Sequence, residues 1–220
     1  LKRVCFLGME KHRGMYSVPE ILSRSVMVDD DEYKARQDSL HPWDVINMQY
    51  TSGTTGFPRG VMLTHVGVGL NGYWIGRHQN FGPEDRVCLP VPLFHCFGCV
   101  LGVSACVNHG ATMVILESFN PLKVLAAVDS ERCTALYGVP TMFLAELEHK
   151  LFHRFDMSSL RTGIMAGSVC PEPLMRRVID DMNMKEITIC YGLTEGSPVM
   201  TQSDIHDSLQ QRCETVGCAM

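Results

Sequence analysis

One short stretch gathers most of the groups that could do chemistry. Tyr50-Thr-Ser-Gly-Thr-Thr-Gly-Phe-Pro-Arg-Gly60 carries the hydroxyls of Thr51, Ser52, Thr54 and Thr55, the glycines Gly53, Gly56 and Gly60, and the fixed charge of Arg59. Glycines let backbone approach a ligand closely, so successive N–H groups can converge on phosphate oxygens. Hydroxyls add donors, and a guanidinium adds charge with bidentate reach. The chemistry this composition suits is the cradling of a polyphosphate. A flexible Ser/Thr/Gly turn is the plain alternative, but such a turn does not require Pro58 and Arg59 set between glycines beside a strand end. The Gly-x-x-x-x-Gly-Lys-Ser/Thr order of a P-loop ATPase is absent.

Three further segments have chemical content: Tyr191-Gly-Leu-Thr-Glu195, Gly163-Ile-Met-Ala-Gly-Ser-Val-Cys-Pro171 and Pro90-Val-Pro-Leu-Phe-His-Cys-Phe-Gly98. In isolation the first is an ordinary turn, the second a strand–helix connection, and His95 a packed histidine. Together with the 51–60 loop they resemble the adenylate-forming superfamily of acyl-CoA synthetases, luciferases and peptide-synthetase adenylation domains. That family's phosphate loop reads Thr-Ser-Gly-Thr-Thr-Gly-x-Pro-Lys-Gly, and Arg59 stands where Lys is usual. Similarity runs from about Trp43 to the end of the chain. It resembles the branch holding the medium-chain acyl-CoA synthetase family member 2, on the strength of the 166–198 block and Glu214-Thr-Val-Gly217.

The resemblance implies roles for named residues. Thr51, Ser52, Gly53, Thr54, Thr55, Gly56, Arg59 and Gly60 would hold the phosphates. Ala166, Gly167 and Ser168 would line the adenine and ribose side, and Tyr191 with Gly192 would pack on adenine. Thr194 would bond the α-phosphate, Glu195 would hold Mg²⁺ with help from Thr51, and His95 would border the carboxylate. Tyr137-Gly-Val-Pro-Thr-Met-Phe143 would border the acyl pocket, or be plain core. The implied activity is attack of a fatty carboxylate on ATP to give acyl-adenylate, then thioester formation with coenzyme A. Peptide-synthetase adenylation domains usually place Phe-Asp where this chain has His95-Cys96, which argues against an amino-acid substrate. The family's later Thr-Gly-Asp, its hinge Arg and its lid-domain Lys do not occur in these 220 residues. The expectation is therefore a central fragment that is catalytically incomplete alone, with a truncated nucleotide-binding isoform or pseudoenzyme as the alternative reading. A mitochondrial location is implied by the same branch.

The elements that must position these groups alternate in type. β-Branched runs predict strands at 3–7, 45–50, 86–91, 112–116, 134–137, 162–165 and 187–190. Helical stretches fall at 64–78, 94–108, 121–130, 141–151 and 172–181, with Asn120-Pro121 and Pro140-Thr141 as start signals. Short connections between alternating strands and helices imply an α/β fold with mostly parallel, helix-covered sheets, part of a large N-terminal domain if the resemblance holds. Residues 1–42 read as an irregular or linker region with one possible strand, and residues 43–220 as the nucleotide-binding portion.

Composition sets outer bounds. A net charge of −5 provides no basic footprint for nucleic acid. Ten cysteines, mostly inside apolar runs, suit buried thiols in a reducing, intracellular compartment. Cys96-x-x-Cys99 lacks the second pair that a zinc site would want. Residues 87–116 hold no Asp, Glu, Lys or Arg, but Pro90, Pro92, His95 and Asn108 break the run below the roughly 20 residues a membrane helix needs.

Overall fold

A computed structural model describes residues 3–51 and 56–220. The chain separates into two compact units, Leu1–Pro42 and Trp43–Met220.

The smaller unit differs from the irregular region expected. It holds two helices, α1 (Val18–Ser25) and α2 (Asp30–Asp38), and the strand expected at 3–7 is reduced to a single bridge between Cys5 and Tyr16. Capping explains why hydrophobic periodicity missed the helices. The Ser17 amide donates to the Glu20 carboxylate at 2.9 Å, and Asp29 accepts from the amides of Asp31 and Glu32. Such bonds satisfy the orphan N–H groups of a first turn. Neither helix buries a residue.

The larger unit contains a two-stranded antiparallel sheet, β1 (Val45–Thr51) with β2 (Arg59–Thr64), and a seven-stranded sheet. The latter comprises β3 (Arg86–Leu89), β4 (Thr112–Ile115), β5 (Ala135–Gly138), β6 (Thr162–Ala166), β7 (Glu186–Gly192), β8 (Val199–Gln202) and β9 (Cys218–Ala219), in the order β4-β3-β5-β6-β7-β8-β9. The five strands from β4 to β7 are parallel, and β8 and β9 add antiparallel.

Side-chain alternation divides the core between the two faces of this sheet. Cys88, Leu136 and Met165 face α5 (Pro121–Glu131), α6 (Pro140–Leu147) and α7 (Glu172–Asp181), packing on Leu125, Phe143 and Met175. Val87, Leu89, Ala135, Tyr137 and Ile164 face α3 (His65–His78) and the helical stretch from 97 to 109, meeting Ile75, Phe97 and Leu101. That stretch begins as a wide π-helical segment, Phe97–Ser104, and continues as α4 (Ala105–His109). Close approach is permitted by glycine: a Cβ on Gly72 would lie 2.3 Å from Ser104 Oγ, and one on Gly76 2.2 Å from the His109 ring.

Three strands escape the sequence reading. β2 had been read as the tail of the phosphate loop, so that loop joins two strands of a hairpin and does not lead from a strand directly into a helix. β8 and β9 are short, at four and two residues, with β9 at the sheet edge, and α8 (Leu209–Glu214) lies between them in sequence.

At the opposite end of the sheet from the motif loops, Arg161 ties the strands together. It donates to Asp85 at 2.8 Å, to Glu186 at 2.7 Å and to the carbonyls of Gln79 and Asn80. Asp85 is buried and also accepts from Thr134 Oγ1 at 2.6 Å and from the Gly82 amide at 2.9 Å. A buried carboxylate with its acceptors filled is tolerable where an unpaired one is not.

Candidate functional site

The segments singled out by sequence converge at the C-terminal ends of β6 and β7. Ligands bind at this edge in open parallel sheets because the loops there leave a crevice beyond the strand ends. β6 delivers Ala166, after which Gly167 turns the chain with φ +90°, a conformation that favours glycine. β7 delivers Tyr191 and Gly192, and a short 3₁₀ turn then presents Thr194 and Glu195. Gly192 is required by contact: a Cβ there would sit 2.0 Å from the Pro198 carbonyl oxygen.

Two cavities meet at this edge. The larger, about 750 Å³, is lined by Gly167, Ser168, Tyr191 and Gly192 on one side and by Glu214 and Thr215 at the end of α8 on the other. The smaller, about 270 Å³, is lined by His95, Cys96, Phe97, Ala166, Leu193 and Thr194 among others. Gly167, Cys190 and Gly192 border both. The arrangement gives a glycine-bordered slot next to a recess, with the Ser168 and Thr215 hydroxyls on the slot and the Thr194 hydroxyl on the recess.

His95 has a defined hydrogen-bonding state. Its Nδ1 accepts the Phe97 amide at 3.0 Å, so Nδ1 carries a lone pair and the neutral ring holds its proton on Nε2. The ring is exposed at the rim. Behind it, Cys96 Sγ lies 3.7 Å from Thr194 Oγ1 and 3.7 Å from His95 Nδ1. Burial pushes the Cys96 thiol above its usual range, and burial pushes Cys190 up to about 12. Both stay protonated at neutral pH, so neither serves as a thiolate nucleophile.

The phosphate loop is in part placed. Thr51 pairs with Arg59 and Tyr50 with Gly60 across the hairpin, and Arg59 is exposed. Ser52, Gly53, Thr54 and Thr55 lie outside the described residues, and Gly56 is the first described residue beyond them. β2 rests against the 194–196 turn, which brings the hairpin beside Glu195. Glu195 is exposed. Thr64 ends β2 and caps α3, its Oγ1 accepting the Gly67 amide at 3.2 Å.

Sequence reasoning gave no site role to three residues that the fold assigns to this edge. Cys190 borders both cavities, and its apolar neighbours made it look like plain core. Thr215 lines the larger cavity from α8. Asn71, on α3, bonds both backbone groups of Val199, and nothing local in the sequence marks it. The helix 94–108 was read as one regular element, whereas its widened first half is what brings Phe97 and Leu101 to the recess. Met142 and Phe143 divide: Phe143 is fully buried in the core on the other face of the sheet, and Met142 packs beside Tyr137. Neither lines the recess, which leaves them as core.

Residues 9–220 match the family described as AMP-binding enzyme. The chain belongs to the AMP-binding enzyme family. Among its relatives, YngI of Bacillus subtilis is 53% identical over 222 residues, covering 100% of this chain and 40% of the relative. The acyl-CoA ligase SID4 of Ajellomyces capsulatus is 46% identical, with 97% and 36% covered. The human medium-chain acyl-CoA ligase ACSF2, mitochondrial, is 40% identical, with 86% and 32% covered. The chain thus spans about 40% or less of the length of these relatives. In fold, this AMP-binding enzyme chain is similar to the N-terminal domain of FACL13 from Mycobacterium tuberculosis, with a TM-score of 0.78 at 24% identity, covering 96% of this chain and 52% of that one. It is also similar to the anthranilate CoA ligase AuaEII in complex with anthranoyl-AMP, with a TM-score of 0.79 at 23% identity, covering 100% and 41%.

Proposed function

We propose that this chain supplies the nucleotide-binding part of an ATP-dependent acyl-CoA synthetase acting on a fatty, medium-chain carboxylate. The observation that carries the reading is the pair of cavities meeting at Gly167 and Gly192, both bordered by the 163–171 and 191–195 segments, with the 90–98 segment lining the smaller one. In this reading the glycine-bordered slot takes adenine and ribose against Gly167, Ser168 and Tyr191. The recess behind His95 and Cys96 takes the start of the acyl chain, and its apolar lining suits an alkyl group over a charged one. Thr194, on the recess next to Gly192, faces the α-phosphate that the carboxylate attacks.

Positioning and charge neutralisation do most of the work in phosphoryl-group chemistry. Arg59 neutralises the departing pyrophosphate from β2 with the loop amides at 53–56. His95, protonated on Nε2, donates a hydrogen bond to an oxygen at the rim and orients the carboxylate. Glu195 and Thr51 offer hard oxygen donors of the kind Mg²⁺ takes in small number alongside substrate phosphates and water. The exposed position of Glu195 beside the hairpin fits that use. When bound, the ion would supply charge neutralisation between phosphate oxygens.

The resemblance to ACSF2 supports a medium-chain acid and a mitochondrial setting, and coenzyme A as the acceptor in the second half-reaction. Among the described residues no helix is long and apolar enough to cross a membrane. The 220 residues bind Mg·ATP but turn over poorly by themselves, because the ligases they match are more than twice as long. Octanoate-dependent ATP–pyrophosphate exchange tests this. Nucleotide binding with weak exchange supports the reading, and robust exchange by the 220-residue chain overturns the incomplete-site part of it. Exchange driven by an amino acid would replace the fatty-acid assignment.

A further inference from the structure

We infer that α3 registers the Thr194–Glu195 turn against the base of the phosphate hairpin, and that Asn71 is the positioning residue through which it does so. The inference rests on the nucleotide-binding reading above and assigns a determinant that lines neither cavity.

Three observations meet on one helix. First, α3 starts where β2 stops: Thr64 is both the last residue of the hairpin and the helix cap. No linker separates the phosphate loop's second strand from the helix, so a movement of one is a movement of the other. Second, Asn71 donates from Nδ2 to the Val199 carbonyl at 2.8 Å and accepts the Val199 amide on Oδ1 at 3.1 Å. Its side-chain amide stands in for a strand partner. β8 needs one at this point because β9 pairs only with Thr201 and Gln202. Third, Gly67 lies one turn before Asn71, so the two share a helix face. A Cβ on Gly67 would be 2.6 Å from Ser197 Oγ. Gly67 therefore admits Ser197, while Asn71 holds Val199.

Between these two contacts runs the return of the turn that carries Thr194 and Glu195. The turn is also closed on itself: the Leu193 amide donates to the Pro198 carbonyl at 3.0 Å, and the Gly196 amide to the Leu193 carbonyl at 2.8 Å. These local bonds fix its shape but not its place. Its place comes from the pairing of Gly192 with Val199 at its base and from α3, which is itself immobilised by Ile75 in the core and by the close packing of Gly72 on Ser104. Through this one rigid element, the groups that meet the terminal phosphates and the groups that meet the α-phosphate and the metal keep a constant separation.

The test uses the 220-residue chain with two variants. Asn71→Leu removes both hydrogen bonds while keeping the branched shape at Cγ. Asn71→Asp keeps the acceptor for the Val199 amide and removes only the donor. Hydrogen–deuterium exchange reads the turn without any ligand. The amides of Leu193, Gly196 and Ser197 are expected to exchange about tenfold faster in Asn71→Leu, less so in Asn71→Asp, with β5 and β6 unchanged. Calorimetry with Mg·ATP is expected to show about a tenfold loss of affinity in Asn71→Leu, as for other groups that orient a ligand-holding side chain. Adenosine, which has no phosphate and is held at the Gly167, Ser168 and Tyr191 side, is expected to bind as before. Unchanged exchange in the turn overturns the inference, and so does an equal loss for adenosine and Mg·ATP. Absence of nucleotide binding by the unsubstituted chain would instead refute the functional reading, while exchange still decides whether Asn71 holds the turn.

Discussion

Replacing Gly192 by Ala isolates the geometry of the site in a single methyl group. A Cβ at this position would lie 2.0 Å from the Pro198 carbonyl oxygen and 2.9 Å from Val199 Cα. A carbon–oxygen contact normally relaxes to about 3.3 Å, so the overlap is on the order of 1.3 Å. Both obstructing atoms are backbone, and no rotamer change relieves the clash. The 192–199 hairpin must open, displacing Thr194 and Glu195 by roughly 1 Å, enough to cost about 100-fold where reacting groups are positioned. Overpacking of this kind also destabilises by about 1–3 kcal/mol, which shows as a lower urea midpoint. Gly69→Ala is the matched control, because a Cβ there meets nothing within 4 Å. It is expected to stabilise α3 by on the order of 1 kcal/mol. Calorimetric Mg·ATP affinity and urea unfolding are measured on both. Undiminished affinity in Gly192→Ala, or an equal loss in Gly69→Ala, would refute the claim that the tight 192–199 crossing positions the site.

Further outcomes follow from the buried polar groups. Asp85→Ala leaves Thr134 Oγ1 and the Gly82 amide without their acceptor, while Arg161 keeps Glu186, and is expected to cost about 1–3 kcal/mol in urea melts, with Asp85→Asn intermediate. Glu146 is buried on α6, its Oε2 has no hydrogen-bond partner, and burial holds its carboxyl well above the usual carboxylate range. The folded state therefore keeps a proton that the unfolded chain releases. The contribution of this group is fully present below about pH 4.5, the unfolded value, and is lost progressively as pH rises from there toward the raised folded value. Glu146→Gln is expected to flatten that decline and to raise the melting temperature at neutral pH. Among the thiols, Cys5 and Cys218 are exposed and react first with a disulfide reagent, while the buried Cys106, pushed up to about 12 by burial, reacts only on unfolding.

The parts of the fold legible in sequence are those governed by periodicity. β3 to β7 and the helices between them alternate apolar groups to two faces, and that pattern is visible without coordinates. α1 and α2 are held by caps such as Ser17 with Glu20, and capping leaves little hydrophobic trace. β8 is only four residues long, and besides pairing with β7 and β9 it bonds the Asn71 side chain, a partner distant in sequence. The site divides in the same way. Tyr191, Thr194, Ala166 and Gly167 were singled out only through the family resemblance, because in isolation their segments read as an ordinary turn and a strand–helix connection. Cys190 was hidden because lining a cavity and filling a core require the same residue type. Asn71 was hidden because its role lies in a pairing across the fold.

The central claim is that the C-terminal ends of β6 and β7 form a nucleotide site in this chain. Titration calorimetry with Mg·ATP on the 220-residue chain and its Tyr191→Ala and Thr194→Val variants tests it most directly. Saturable one-site binding is predicted, weakened in both variants while their far-ultraviolet circular dichroism stays that of the parent. Absence of binding, or binding that both substitutions leave untouched, would contradict the account.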